Sequence, residues 1–196
     1  MNVNLHSRSG PVNPKQERSR HTLHRLLSAT EALLEHGGLD AATVPAIAKA
    51  AGLSVGVVYR RFPDKDMLLR EVYGRFFETF TRPVVLSGHP KVQDVIVETT
   101  ATYRRKRGLV RALILYARTH PDPQFRDAAR RLHHATLYRL KALLLSYTDD
   151  MKAIDFALSA AISILQNAAL AEHWPQRLDE ELVRLIFRYL GIKEGS

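Results

Sequence analysis

Apolar residues recur every three or four positions along nearly the whole chain, and this spacing constrains the fold more than any other feature. Val44, Ile47, Ala48 and Ala51 follow the pattern i, i+3, i+4, i+7, which places them on one face of a helix. No stretch of the sequence alternates apolar and polar residues in the manner of a half-buried strand. The sequence therefore predicts an all-α protein.

Glycines, prolines and capping residues divide the chain into nine predicted helices. The first four cover about residues 13–36, 43–51, 54–62 and 64–80, and five more follow between residues 91 and 189. Gly37 and Gly38 are predicted to end the first helix and Gly108 the fifth, because glycine weakens a helix interior. The seventh is predicted as one long helix that opens at Asp122 and Pro123.

Composition excludes several classes of protein. The 196 residues include no cysteine, which rules out disulfides, thiolate metal sites and cysteine nucleophiles. The first 13 residues lack the apolar core of a secretory signal. The longest uncharged run, residues 156–171, is shorter than the ~20 residues of a membrane span. We expect a cytoplasmic protein with no membrane partner.

The charge is strongly positive and favours a polyanionic partner such as nucleic acid. The net charge is +9, and the isoelectric point is near 10.0. The N-terminal stretch contains five clustered basic residues and only one acidic residue, Glu17. The basic residues are Arg8, Lys15, Arg18, Arg20 and Arg25. This cluster is either a solvated tail or an arm that binds DNA phosphates, with Arg18 and Arg20 as candidate contacts.

Residues 52–56 read GLSVG, which fits the G-x-S-x-G pattern of a hydrolase nucleophile elbow. An elbow requires a buried β-strand immediately before its serine, whereas residues 43–51 have helical spacing. Ser54 is therefore predicted to cap a helix. We predict no catalytic residue, no cofactor and no metal site; His133 and His134 are adjacent on a helix, so their side chains point about 100° apart.

Two short helices joined by a tight turn over residues 43–62 have the geometry of a helix-turn-helix, whose second helix enters the DNA major groove. Gly56 lies on the outer face of that helix, where a missing side chain lets the backbone approach DNA. Tyr59 and Arg60 point outward and suit phosphate and guanine. Lys65 lies in the first turn of the next helix, beside amides that can meet a phosphate. An αα-corner without a partner is the alternative, and these features favour DNA binding.

The stretch TVPAIAKAAGLSVGVVYRRFPDKDMLL closely resembles the DNA-binding signature of the TetR family of bacterial repressors. That signature runs T-hydrophobic-x-x-I-A-x-x-A-G, then hydrophobic-S-x-G-x-hydrophobic-Y-x-x-F, then x-x-K-x-x-L-L. The resemblance implies a disordered basic tail (1–12), a helix-turn-helix domain (13–63), a connecting helix (64–82) and a domain for ligand binding and dimerisation (83–196).

The resemblance also implies roles for individual residues toward DNA. Thr43, Tyr59 and Lys65 would bind phosphates, and Arg60 would reach a phosphate or a base edge. The recognition helix would begin at the groove with Ser54, Val55 and Gly56. Val57 stands where the family often has threonine, so this position offers only apolar contact, for example to a thymine methyl group.

Two sets of C-terminal residues are candidates for assembly and regulation. A homodimer, which the resemblance implies, would match palindromic DNA; its predicted interface, or alternatively plain intramolecular core, comprises Leu158, Ile162, Leu165, Leu182, Leu185, Ile186 and Tyr189. Aromatic or polar residues within otherwise apolar helices are the candidates for a ligand site: Tyr103, Arg111, Tyr116, His133 and Trp174. They suit an apolar or aromatic ligand, with or without an acidic group.

The sequence thus predicts a DNA-binding transcriptional regulator, a repressor that binds a palindromic operator as a homodimer and is released by a small-molecule ligand. The alternative is a DNA-binding regulator without a small-molecule inducer, controlled by a protein partner. An enzyme or transport protein that reuses a helical domain is disfavoured, because the sequence shows no acid–base or metal constellation.

Overall fold

The computed structural model describes residues 14–81, 91–135 and 138–193, and these residues form ten α-helices. They are α1 (Pro14–Ala41), α2 (Val44–Ala51), α3 (Val55–Arg61), α4 (Lys65–Thr81), α5 (Val92–Arg105), α6 (Arg107–Thr119), α7 (Pro123–Ala135), α8 (Tyr138–Leu144), α9 (Met151–Leu170) and α10 (Leu178–Tyr189). The predicted all-α class is confirmed. The predicted N-terminal tail, residues 1–12, lies outside the described residues.

The helical backbone of α1 is broken at the glycine pair that the sequence predicts as the end of the first helix. Its backbone is interrupted at Gly38, which has φ 64° and ψ −159°, but a further helical turn follows and ends at Ala41. A positive φ of this kind is easy for glycine and strained for other residues. The glycine pair therefore interrupts the helical backbone where the sequence predicts the end of the first helix, and one further turn follows.

Gly108 also has a different role from the predicted one. The break between α5 and α6 lies at Lys106, with φ −109° and ψ 34°, and Gly108 belongs to the first turn of α6. A Cβ atom on Gly108 would lie 1.9 Å from the carbonyl oxygen of Glu35 on α1. Glycine at this position allows α6 to pack directly on the α1 backbone.

Glu35 also caps α6 across this contact. Its carboxylate accepts hydrogen bonds from the amides of Gly108 (3.2 Å) and Leu109 (2.8 Å). Amides at a helix start lack intrahelical partners and favour a nearby negative charge. One carboxylate of α1 thus satisfies two amides of α6 and fixes the two helices against each other.

The predicted long seventh helix corresponds to two described segments. Helix α7 ends at Ala135 and α8 begins at Tyr138, and residues 136 and 137 between them lie outside the described residues. The chain leaves the helical conformation after Leu144. The next helix begins as predicted, because the Asp150 side chain accepts a hydrogen bond from the Ala153 amide at 3.0 Å.

Helix α9 lies at the centre of the C-terminal helices. By length and composition it could cross a membrane. It packs instead against α5, α6, α8 and α10, and eight of its twenty residues are buried. A helix that buries its apolar residues within the fold has the character of a core helix.

Helix α1 contacts both ends of the molecule. It packs against α2 and α4 near the predicted DNA-binding unit and against α6 in the C-terminal half. Helix α4 in turn packs against α7. These two helices therefore connect α2 and α3 to the remainder of the protein.

Candidate nucleic-acid interface

The turn between α2 and α3 is built by local caps, as the sequence predicts. The Thr43 hydroxyl accepts a hydrogen bond from the Ala46 amide (3.3 Å) at the start of α2. Gly52 ends that helix in the left-handed conformation, with φ 62° and ψ 41°, and its amide donates to the Lys49 carbonyl at 3.0 Å. A glycine is favoured in this position because it has no Cβ to clash.

Helix α3 buries one apolar side chain and leaves most of the others exposed. Val58 is buried within the helix, and Phe62 anchors its end. Ser54 occupies the predicted cap position in extended backbone, but its side chain makes no capping hydrogen bond. Tyr59 is 53% exposed and Val55 39% exposed. The outer face of α3 is therefore available to a partner.

Gly56 lies on this exposed face. A Cβ atom built there would meet the Ser54 hydroxyl at an ordinary contact distance of 3.9 Å. Packing within the protomer therefore does not require glycine at this position. A partner that approaches the backbone closely from outside would explain why glycine occupies this position.

The basic residues around α3 divide into exposed and internally bonded groups. Arg18, Arg20 and Arg60 are exposed. The Lys65 ammonium donates to the Leu39 carbonyl at 3.0 Å, which ties α4 to the end of α1 and leaves two further N–H groups. Val57 is half-buried.

Two arginines that the sequence reasoning did not single out for this purpose hold the unit together. The Arg25 guanidinium donates to the carbonyls of Ala51 (2.5 Å) and Gly52 (2.9 Å) at the end of α2. The Arg61 guanidinium donates to the Ser19 hydroxyl on α1 at 2.7 Å. Their partners lie 26 to 42 residues away in the chain, so no local pattern indicates these contacts.

A separate cavity of about 380 Å³ lies between α4, α6, α7 and α9. Three arginines and a histidine line it together with apolar side chains such as Tyr73, Ile114 and Ala129. The Tyr73 hydroxyl donates to the Ala129 carbonyl at 3.1 Å, and burial raises the pKa of this phenol.

The predicted ligand residues lie elsewhere in the described structure. Tyr103 is buried and packs edge-on against Phe80, with ring centroids 5.7 Å apart. Arg111 is exposed, and Trp174 is half-buried against the core. The side chain of His133 lies outside the described part of the structure.

Tyr116, the remaining candidate, belongs to a polar cluster at the start of α4. Its hydroxyl donates to the Asp66 carboxylate at 2.6 Å, and His120 and Arg70 contact the same carboxylate at 2.7 Å each. Burial disfavours the charged carboxylate, but the hydrogen bonds from Tyr116, His120 and Arg70 outweigh it and lower the pKa of Asp66 to about 2. Burial and the bond to Asp66 raise the pKa of Tyr116.

The cluster extends to the start of α7. Arg70 also donates to Asp122 at 3.1 Å. Arg126 donates to the carbonyls of His120 (2.6 Å) and Pro121 (3.0 Å), and its side chain lines the cavity. Hydrogen bonds thus join the loop between α6 and α7 to α4 through Arg70 and Asp66. The same loop is hydrogen-bonded to Arg126, which lines the cavity.

The predicted dimer residues divide into two groups in the protomer, and the dimer interface stays a prediction. Five of the seven are buried within the protomer and cannot face a partner directly: Leu158, Ile162, Leu165, Leu182 and Ile186. Leu185 and Tyr189 are exposed, at 36% and 52%. Phe156 is 61% exposed and stacks on Tyr189, with ring centroids 5.3 Å apart. The apolar surface of α9 and α10 is centred on this aromatic pair.

Comparison with known proteins finds similarity over the helix-turn-helix part of the chain. Residues 26–72 match the profile of the bacterial regulatory proteins of the tetR family. The chain is also 42% identical over 62 residues to the HTH-type transcriptional repressor KstR of Mycolicibacterium smegmatis. Residues 26–72 are thus similar to the DNA-binding region of tetR-family regulators.

The match to curated tetR-family proteins is confined to one part of each chain. The KstR match covers 32% of this chain and 30% of that repressor's length. A second KstR, from Mycobacterium tuberculosis, is 41% identical over 61 residues, which is 31% of this chain and 28% of that protein.

Solved structures of tetR-family proteins share the fold over nearly the whole chain. A TetR transcriptional regulator from Rhodococcus sp. RHA1 is 20% identical and superposes with a TM-score of 0.60 over 91% of this chain and 99% of its own. A tetR-family regulator from Streptomyces coelicolor is 17% identical, with a TM-score of 0.69 over 88% of this chain and 80% of its own.

Proposed function

We propose that this protein is a DNA-binding transcriptional regulator, most simply a repressor, that inserts α3 into the major groove of its operator. The exposed outer face of α3, carrying Gly56, Tyr59 and Arg60 within a tetR-family helix-turn-helix, is the observation that carries the proposal. Thr43 lies at the start of α2 and Ser54 at the start of α3, and both would contact DNA phosphates. Arg18, Arg20 and Lys65 would add sequence-independent attraction. We assign no catalytic role to Ser54, because a helix and not a strand precedes it.

Operator recognition would require two copies of the chain. The exposed aromatic pair Phe156 and Tyr189, with Leu185, offers an apolar surface on α9 and α10 that a twofold-related copy could cover. Two recognition helices related by a dyad would then read a palindrome with half-sites about 34–36 Å apart or a multiple of that spacing. Such a regulator would act in the cytoplasm, without a membrane partner.

Release from DNA would follow ligand binding in the C-terminal part, residues 83–196, through the connecting helix α4. Three residues separate the end of α3 from the start of α4, and α4 packs against α7. A ligand shifts the equilibrium only if it prefers the state that does not bind DNA. The cavity between α4, α6, α7 and α9 supports control by a small molecule in preference to a protein partner.

The proposal is tested by selection from random duplex DNA with the full-length chain. We expect enrichment of a palindromic sequence, bound as a dimer, with affinity that falls steeply as salt rises. The matched control replaces Tyr59 and Arg60 with alanine, which should abolish enrichment while preserving the helical circular dichroism spectrum. Enrichment of no sequence by the folded wild-type protein would refute the proposal.

A further inference from the structure

We infer that the cavity between α4, α6, α7 and α9 takes a small organic anion, a carboxylate or phosphate head group on a short apolar body. The claim that this anion acts as the effector rests on the proposed regulatory function. The claim that the anion binds does not, because it follows from the lining of the cavity.

The charge of the lining is one-sided. Arg118, Arg126 and Arg130 contribute guanidinium groups, and His134 adds an imidazole. None of the cavity's lining residues, all of which the structure describes, is an aspartate or glutamate. Three guanidinium groups around one cavity repel each other, and an anion between them removes that repulsion.

The guanidinium groups are held in place but not saturated. Arg118 donates to the Gln166 side chain at 2.8 Å, and Arg130 pairs with Asp127 at 3.2 Å on the exposed side of α7. Each guanidinium carries five N–H donors in a planar fork. Enough donors remain to bind a carboxylate or phosphate in the bidentate manner that arginine favours.

The remainder of the lining is apolar, which favours an organic anion over a free inorganic ion. Tyr73, Ile114 and Ala129 present ring and aliphatic surface to the same cavity. Its volume of about 380 Å³ lies near the lower end of the ~300–1,000 Å³ range of small-molecule sites. The cavity therefore suits a compact amphipathic ligand.

The position of Arg126 connects the cavity to the DNA-binding unit. Its guanidinium already donates to the carbonyls of His120 and Pro121. An anion that recruits this guanidinium competes with those carbonyls and loosens the loop that seats His120 on Asp66. Because Asp66 lies in the first turn of α4, this loosening would reach α3.

Binding is tested by calorimetry on the full-length chain without DNA, with hexanoate and hexyl phosphate as the two anionic probes. Hexanamide matches hexanoate without its charge, and inorganic phosphate lacks the apolar body. We expect saturable binding of at least one organic anion, with hexanamide and inorganic phosphate about tenfold weaker or worse. Which organic anion binds more tightly identifies the head group.

Variants locate the site. Arg118→Gln and Arg130→Gln should each weaken binding of the anion by about tenfold. Arg104→Gln removes the same charge at an exposed position on α5 and should leave anion binding unchanged. Binding of neither organic anion would overturn the inference. Equal binding of hexanamide or of inorganic phosphate, or equal loss in all three variants, would also overturn it.

In a second experiment, the organic anion that binds the protein is added to the complex of the protein with its selected operator. Release of DNA by wild type, and loss of that release in His120→Ala with anion binding intact, would support the effector role. If the protein binds the anion but selects no operator, the anion site is supported and the proposed function is refuted. If the protein binds an operator but no anion, the proposed function is supported and the anion site is refuted.

Discussion

The imidazole Nε2 of His120 lies 2.7 Å from Asp66 Oδ1 and joins the loop after α6 to the first turn of α4. The Asp122 amide donates to the other ring nitrogen, Nδ1, at 3.1 Å. The ring thus contacts the backbone of its own loop through Nδ1 and the Asp66 carboxylate through Nε2. This pairing joins two elements 54 residues apart in the chain.

Asp66→Asn should destabilise the protein at neutral pH and much less in acid. The folded-state pKa of Asp66, about 2, lies below its ordinary value of 3.8, so its stabilisation is present above pH 3.8 and is lost as pH falls toward 2. We expect a loss of about 1 kcal/mol at pH 6, less than the full shift would give, because 40% of the side chain is exposed. Urea unfolding of wild type and variant from pH 6 to pH 3 measures it.

Asp40→Asn, which removes an exposed carboxylate of α1, is the control for the loss of one negative charge. If the difference in free energy of unfolding between wild type and Asp66→Asn stays constant from pH 6 to pH 3, the Asp66 carboxylate does not stabilise the protein through its charge.

Gly108→Ala should destabilise the contact between α1 and α6. The new Cβ would lie 1.9 Å from the Glu35 carbonyl oxygen, so the two helices must separate, at a cost of about 1–3 kcal/mol. Gly74→Ala, in the interior of α4, is the matched control, since its Cβ would have no heavy atom nearer than 4.0 Å. The control should gain about 0.5–1 kcal/mol from helix propensity. Equal effects of the two substitutions in urea unfolding would contradict the packing described here.

The helix-turn-helix could be predicted because its signals are local. The caps at Thr43 and Gly52 and the inward position of Val58 each depend on neighbours within a few residues. The contacts that join this unit to the rest could not be predicted. Gly108 approaches Glu35, 73 residues away in the chain, and the sequence pattern shows only a glycine between two helices.

The dimer residues show a second limit of sequence reasoning. Ile162 and Phe156 are both apolar residues on one helix, but Ile162 is 4% exposed and Phe156 is 61% exposed. Which face turns inward depends on the helices that pack around α9, and periodicity alone does not specify them. The lining of the cavity between α4, α6, α7 and α9 was not predicted for a related reason, because the arginines of α6 and α7 that line it gave no apolar signal.

Phe156→Arg should yield a folded protomer that dimerises poorly. The side chain is mostly exposed, so protomer stability should change by no more than about 0.5 kcal/mol. An arginine there would bury an unpaired charge if a second copy covers the surface. Sedimentation at micromolar concentration should show a dimer for wild type and a monomer for the variant. Ile162→Arg, in contrast, should unfold the protomer, and a stable monomer from it would mean that Ile162 is not core.

Tyr59→Phe and Arg60→Ala should weaken DNA binding in different ways. Loss of the Tyr59 hydroxyl should reduce affinity for operator and random duplex alike, since phosphate contacts carry no sequence information. Loss of Arg60 should cost about 1–3 kcal/mol on the operator and relax the preference at one symmetric pair of positions, if the guanidinium reads a base edge. Gel shifts on operator and on scrambled duplex separate the two. Equal losses on both duplexes for Arg60→Ala would assign that arginine to a phosphate.

Gly56→Ala should separate stability from DNA binding. Its Cβ has room within the protomer, where the nearest side-chain atom would be 3.9 Å away, so the helix should gain about 0.5–1 kcal/mol in urea unfolding. The added methyl group points to the side from which DNA approaches, and crowding of about 1–3 kcal/mol there would weaken operator binding roughly 5- to 150-fold. Gly74→Ala should gain the same stability and bind DNA as wild type does. A Gly56→Ala protein that is more stable and binds the operator with unchanged affinity would show that no backbone approach takes place at this position, and the docking of α3 would have to be reconsidered.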